Sequence, residues 1–190
     1  MDALEELLGG PQRLRVLKLF IQNPEVSFDS AQITRRSRVP ERAVHRELSF
    51  LGRIHFIKSK RAGKGKVWLL NPVFPILTSL THLLTSARSL DSGYLARQFR
   101  SIRGIKLIIA AGIFIKDDRS RLDLLIVGDR VNKRRVEAVI KRVEAEAGKE
   151  LTYYICATDD FTYRLGAYDK FIRDILDHPH EKVINKLGVV

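Results

Sequence analysis

The chain has 190 residues, and 34 lysines and arginines against 22 aspartates and glutamates give it a formal net charge of +12. Hydrophobic residues make up 45% of it and there is one cysteine, which excludes a disordered or collagen-like chain and an internal disulfide. No apolar run approaches the roughly 20 uncharged residues of a membrane span, and the opening Met1-Asp2-Ala3-Leu4-Glu5-Glu6 is acidic where a signal peptide would be basic, so a cytoplasmic protein of one or two domains with no membrane partner is expected.

The positive charge is concentrated. Residues 1–75 hold 14 basic and 7 acidic side chains, residues 76–190 hold 20 and 15, and between Arg35 and Lys66 the count is 11 to 2. Such a patch points to a polyanionic partner, because each Lys or Arg laid on a phosphate releases condensed counterions.

In chain order, Leu14, Leu17, Phe20 and Ile21 after Pro11 predict a helix that Asn23-Pro24 ends. Ala31, Ile33 and Thr34 predict a second, running out near Ser37-Arg38-Val39. Pro40 opens a third through Leu51, with Val44, Leu48 and Leu51 along one side and Arg42, His45, Arg46 and Ser49 along the other. After Gly52 the period becomes that of strands, with Ile54, Phe56 and Ile57 in one and Val67-Trp68-Leu69-Leu70 in the next, around a basic turn at residues 61–66. Trp68 is assigned to the core of this hairpin.

A helix of this kind fits the major groove, where Arg contacts guanine bidentately, so Arg42, His45, Arg46 and Ser49 are the candidate base readers. Lys58, Lys60, Arg61, Lys64 and Lys66 are the candidate contacts to phosphates or the minor groove, with Gly63 and Gly65 permitting a tight turn against the duplex. Three helices followed by a basic-tipped hairpin, over residues 11–71, resemble the winged helix-turn-helix transcription regulators, the arsenic-repressor-like ones among them. The resemblance implies double-stranded DNA as partner and a homodimer as the working form.

Pro72 and Pro75 bracket the end of the hairpin, and Ile76, Leu77, Leu80, Leu83 and Leu84 predict a helix apolar on one broad side. Dimerisation is expected there, with packing onto the second domain as the alternative. Residues 86–93 read as a linker, and Tyr94, Leu95, Phe99 and Ile102 as a further helix ending at Gly104. Strands are then expected at residues 105–111, 122–127 and 151–156, a helix through Val136, Val139, Ile140, Val143 and Ala147, a helical stretch from Phe161 to Leu176, and a short closing strand at Val183-Ile184. The expected fold class is α+β, divided as residues 1–74, a connecting helix and linker at 75–93, and an α/β domain with a small mixed sheet at 94–190.

From Ala111-Gly112-Ile113 to Ser120-Arg121-Leu122-Asp123 and on to Asp129, the second half resembles the minimal, polymerase-beta-like nucleotidyltransferases, over about residues 94–187. That family carries glycine-serine after the first strand and, past a loop, two carboxylates flanking an apolar residue. Here Ile113 follows Gly112 in the serine position, Arg121 occupies the first carboxylate position, and Asp123 alone remains; the third strand, Thr152-Tyr153-Tyr154-Ile155-Cys156, has no acid. A guanidinium in place of a metal ligand repels the cation that transfer chemistry needs. The expectation is therefore no catalysis, no metal and no cofactor, with Asp123 paired to a local base and the domain serving as a scaffold, a sensor of a small molecule or a protein-binding surface. The alternative is an active nucleotidyltransferase modifying RNA or a protein, of toxin-antitoxin type, with Asp117 and Asp118 as loop ligands. A third reading uses the same basic face for RNA or for bridging proteins. Cys156 is expected to be inert packing, and His178-Pro179-His180 a solvated turn.

Overall fold

Pro11 is pre-set for the first turn of a helix, and Gly10 before it takes φ 104, so the chain enters its second helix from a conformation that favours glycine. In the computed structural model of the protein, which describes residues 3–63, 65–86, 90–117 and 119–189, the α+β chain divides into two units. One comprises residues 1–89 with 141–150 and the other residues 90–140 with 151–190. Lys64, Asp118 and residues 87–89 of the expected linker lie outside the described residues.

In the first unit α1 (Ala3–Leu7), which the sequence does not announce, precedes α2 (Pro11–Ile21), α3 (Ser30–Ser37) and α4 (Glu41–Arg53). A reciprocal cap starts α3: the Asp29 carboxylate accepts from the Gln32 amide at 2.7 Å and the Gln32 side chain accepts from the Asp29 amide at 2.8 Å. Arg38 at φ 54 ends it, and Pro40 opens α4 after the buried Val39. The core of the unit is built on Phe20, Phe28, Ile33, Val44 and Phe56, all fully buried.

The hairpin of β1 (Ile57–Ala62) and β2 (Gly65–Leu70) follows. Its last pair is Ala62 with Gly65, so Arg61, Ala62, Gly65 and Lys66, four of the six residues expected in the turn, belong to the strands, and Gly63 takes φ 59. Ile54 and Phe56 lie before the strand: His55 takes φ 61, and Phe56 turns into the core edge-on to Phe74 at 5.4 Å. Phe28 pairs with Trp68 as a single bridge, N–H to O at 2.9 and 2.8 Å, which fastens β2 to the helices. Trp68 packs half-buried on the core, as its expected assignment has it. Next, α5 (Leu77–Ser86) turns Leu77, Leu80 and Leu84 to the core and leaves Leu83 exposed, with Ile76 exposed just ahead of it.

Residues 141–150 complete this unit. Asn23 donates through one side-chain amide to Leu19 O and Gly148 O, each at 2.7 Å, Arg15 pairs with Glu146, and Arg36 pairs with Glu150 at 2.5 Å. Gly148 holds φ 76 with the Lys18 backbone only 2.5 Å from where a Cβ would sit, so no other residue fits without displacement.

In the second unit Asp91 caps α6 (Ser92–Phe99), accepting from the Tyr94 amide at 2.6 Å, so the helix begins inside the expected linker. The sheet of β3 (Ile105–Ala110), β4 (Leu124–Gly128), β5 (Tyr153–Cys156) and β6 (Glu181–Asn185) has the order β5-β4-β3-β6, with β3 antiparallel to both neighbours and β4 parallel to β5. The continuous apolar runs of β3 and β4 are buried on both faces, which suits strands covered by helices. The crossover from β4 to β5 contains α7 (Lys133–Ala147), whose last residues count with the first unit. The expected helical stretch from Phe161 to Leu176 is two helices, α8 (Thr158–Gly166) and α9 (Lys170–Asp177). Tyr168 at φ 55 breaks them apart, and Asp169 caps the second by accepting from the Phe171 and Ile172 amides.

Candidate nucleic-acid interface

On α4, Ala43, Val44, Glu47, Leu48 and Leu51 are buried, while Arg42, His45, Arg46 and Ser49 are exposed. Their i, i+3, i+4, i+7 spacing lines them along one face, as expected from the apolar stripe opposite. His45 approaches Glu41 at 3.7 Å, and the Arg46 side chain, 69% exposed, reaches Gln12 at 3.3 Å. Among the described residues Arg42 has no ion pair.

What fixes the attitude of that face is a residue pattern that sequence reasoning misses. Arg13 on α2 donates to the buried Glu47 carboxylate at 2.7 Å and stacks its guanidinium on the Phe50 ring at 4.0 Å. A carboxylate taken out of water needs this partner, and the planar guanidinium serves the carboxylate and the ring together. The signal available is Glu47 itself, an acid lying on the apolar stripe between Val44 and Leu51. The partner, 34 residues away, leaves none.

The hairpin projects from this base. From Lys58 to Ala62 every residue of β1 is exposed, so both faces of the strand meet solvent. Register places Lys58 and Lys60 on one face with Leu69 and Val67, and Arg61 on the other directly across from Lys66. Like charges opposed across a strand pair are unfavourable, and here they stand without a carboxylate partner among the described residues. Lys66 lies over the Trp68 ring at 5.7 Å. The structure thus brings eight of the nine expected contacts to exposed positions on one helix face and one hairpin, and the ninth, Lys64, lies outside the described residues.

The segment of the second unit that holds Gly112, Ile113, Arg121 and Asp123 is organised differently. Past β3, Gly112–Phe114 form a 3₁₀ turn that wraps the Asp123 carboxylate. One carboxylate oxygen accepts from the Ile113 amide at 3.0 Å and the other from the Thr152 amide at 2.8 Å. The expected basic partner of Asp123 is therefore replaced by backbone N–H groups, which join the turn after β3 to the approach of β5. Gly112, at φ 53, leaves 2.2 Å between its missing Cβ and that carboxylate, so only glycine lets the turn close.

Neighbouring charges are matched as well. Arg121 pairs with Asp174 at 3.0 Å, and Arg119 with Asp117 at 3.0 Å; hydrogen bonds from Arg119 hold the Asp117 carboxyl below its ordinary range. His178 and His180 bond through Nδ1 to backbone oxygens of Asp174 and His178, at 2.7 and 2.9 Å. Burial pushes the Cys156 thiol up to about 11, which leaves it protonated and unreactive. Among the described residues no group of three or more His, Cys, Asp or Glu side chains is gathered to hold a metal ion, and no helix is long and apolar enough to cross a membrane.

No protein-family model and no curated protein sequence matches this chain. Among solved structures, reduced HlyU from Vibrio cholerae N16961 is similar over 44% of this chain and 82% of its own, at 16% identity and a TM-score of 0.35. A likeness of that strength assigns neither fold nor function.

Proposed function

We propose that this chain is a sequence-specific DNA-binding transcription regulator, with residues 1–74 forming a winged helix-turn-helix. In this reading α4 enters the major groove, with Arg42 and Arg46 on base edges and His45 and Ser49 beside them, and the hairpin lays Lys58, Lys60, Arg61 and Lys66 on adjoining phosphates. The observation that carries it is the exposed face of Arg42, His45, Arg46 and Ser49 next to a hairpin that sets Arg61 opposite Lys66. Charge held at a cost to the free protein is charge kept for a partner, and a duplex supplies the complementary phosphates.

The regulator acts as a homodimer through α5. Its sequence LTSLTHLLTS carries no charged residue in a chain that is 29% charged, and Leu83 remains exposed on it at 45%. The second unit belongs to the proposal as a nucleotidyltransferase-like domain without catalysis, serving as scaffold, sensor or partner surface. Both oxygens of Asp123 are engaged by backbone amides and Arg121 lies two residues before it, which supports a structural duty for the surviving acid.

Selection of bound sequences from random duplex DNA tests the reading. Enrichment of a short inverted repeat is expected, its half-site spacing reporting the dimer. Binding without an enriched motif, or preference for structured RNA, overturns it; transfer of labelled nucleotide to RNA or protein by the purified chain overturns the inactive second unit.

A further inference from the structure

The second unit carries a basic surface that the reading above does not use. Residues 100–106 and 129–135 hold seven basic side chains and one acid, Asp129. That acid is already engaged: it accepts from Lys106 at 2.7 Å and from the Thr158 amide and hydroxyl at 3.0 and 2.9 Å. The six remaining cations, Arg100, Arg103, Arg130, Lys133, Arg134 and Arg135, are exposed, and none has an ion pair among the described residues. Elsewhere in this unit Arg119, Arg121, Arg164 and Arg173 each have a carboxylate within reach.

The backbone holds the two segments together. Ile105 pairs with Gly128 in the sheet, the Asp129 amide donates to Gly104 O at 3.0 Å, and a Cβ on Gly104 would fall 2.1 Å from Asp129 O. Arg130 takes φ 52, a conformation rarely adopted by a side-chain-bearing residue. Lys133, Arg134 and Arg135 occupy the first turn of α7, which has no acidic residue and where the helix dipole disfavours cations. The Arg130 backbone and the first-turn cations cost the free protein stability, and the backbone pairing gathers their positive charge at one end of the sheet.

We propose that this surface is a second binding site for the phosphodiester backbone of a nucleic acid. Five of the six cations are arginines, whose forked guanidinium matches phosphate oxygens bidentately. No large exposed apolar side chain falls in either segment, so the surface lacks the insertion that a lipid interface uses.

The test uses the full chain bearing Arg42→Ala, Arg46→Ala and Lys60→Ala, so that the first unit's face is weakened. In that background Arg100→Gln, Arg134→Gln and Arg135→Gln are added, and binding to a short labelled duplex is followed across a salt series. The residual affinity is expected to fall about tenfold or more, and the log–log salt slope to shrink by about 2 to 3, since each cation removed leaves one phosphate with its counterion. The free variant should melt at the same temperature or higher, since cations have left a helix N-terminus; should it melt lower, Arg134→Gln alone repeats the test, with the slope expected to shrink by about one unit. Unchanged affinity and slope overturn the proposal, as does binding to phosphatidylserine vesicles but to neither nucleic acid. Tighter binding of a hairpin RNA through the same residues assigns the backbone to RNA, and equal or tighter duplex binding assigns it to DNA. Failure of the first unit's reading is seen separately, as no effect of the background substitutions themselves.

Discussion

On α4 and the β1–β2 hairpin, Arg42, Lys58, Lys60 and Arg61 stand in solvent with no carboxylate partner among the described residues, whereas around the turn between β3 and β4 Asp117, Arg119, Arg121 and Asp123 are each answered. There Asp123 takes two backbone amides, Arg121 takes Asp174 and Arg119 takes Asp117. Charge satisfied inside the fold holds the fold, and charge left unsatisfied at a cost is available to a partner. By that contrast the α4 face and the hairpin keep charge open to a partner, and the turn around Asp123 is a fastening of the fold.

The comparison breaks most sharply at Arg13, a cation beneath the exposed face of α4 that the fold does consume. Arg13→Ala leaves the buried Glu47 without its hydrogen-bonded partner and with only Arg46 at 3.8 Å, and should cost about 3 kcal/mol of stability in the first unit, read as a lower urea midpoint of Trp68 fluorescence, together with loss of duplex binding. Asp123→Ala should cost about 2 kcal/mol in the second unit, by stranding the Ile113 and Thr152 amides, and leave duplex binding through α4 intact. If instead Asp123→Ala spares stability, the acid is not the fastening described here.

Acid sharpens the same contrast. Hydrogen bonds from Lys106, then from the Thr158 amide and hydroxyl, hold the Asp129 carboxyl at about 2, below its ordinary 3.8. A depressed folded-state value adds stability that is present above 3.8 and lost as pH falls through about 2. Circular dichroism of the wild type should show that loss in this window, and Asp129→Asn should flatten it. The smallest effect is at Cys156, whose buried thiol, raised to about 11, should resist alkylation at neutral pH until the chain unfolds.

Periodicity makes part of this legible. The stripe of Val44, Leu48 and Leu51 places Arg42, His45, Arg46 and Ser49 on the opposite face, because a helix surface follows from spacing alone. The start of the hairpin misleads for the same reason: Ile54 and Phe56 alternate like a strand, but His55 at φ 61 turns Phe56 into the core beside Phe74. Gly166, at the end of α8, is the one signal for the break between α8 and α9, but the apolar spacing on either side of it reads as a single helix and the turn itself is made at Tyr168. The Arg13–Glu47 pair and the amides around Asp123 join positions far apart in sequence, and backbone donors carry no residue signature at all. The same holds for residues 141–150, which count with the first unit through Asn23 and Gly148.

The most direct measurement is the affinity of the full chain for a duplex enriched by selection, compared with Arg46→Ala/Lys60→Ala across a salt series. Affinity should fall at least about tenfold and the salt slope should drop by about 2, with relaxed preference at the base facing Arg46. Unchanged affinity, slope and sequence preference would contradict the assignment of α4 and the hairpin as the DNA-binding surface.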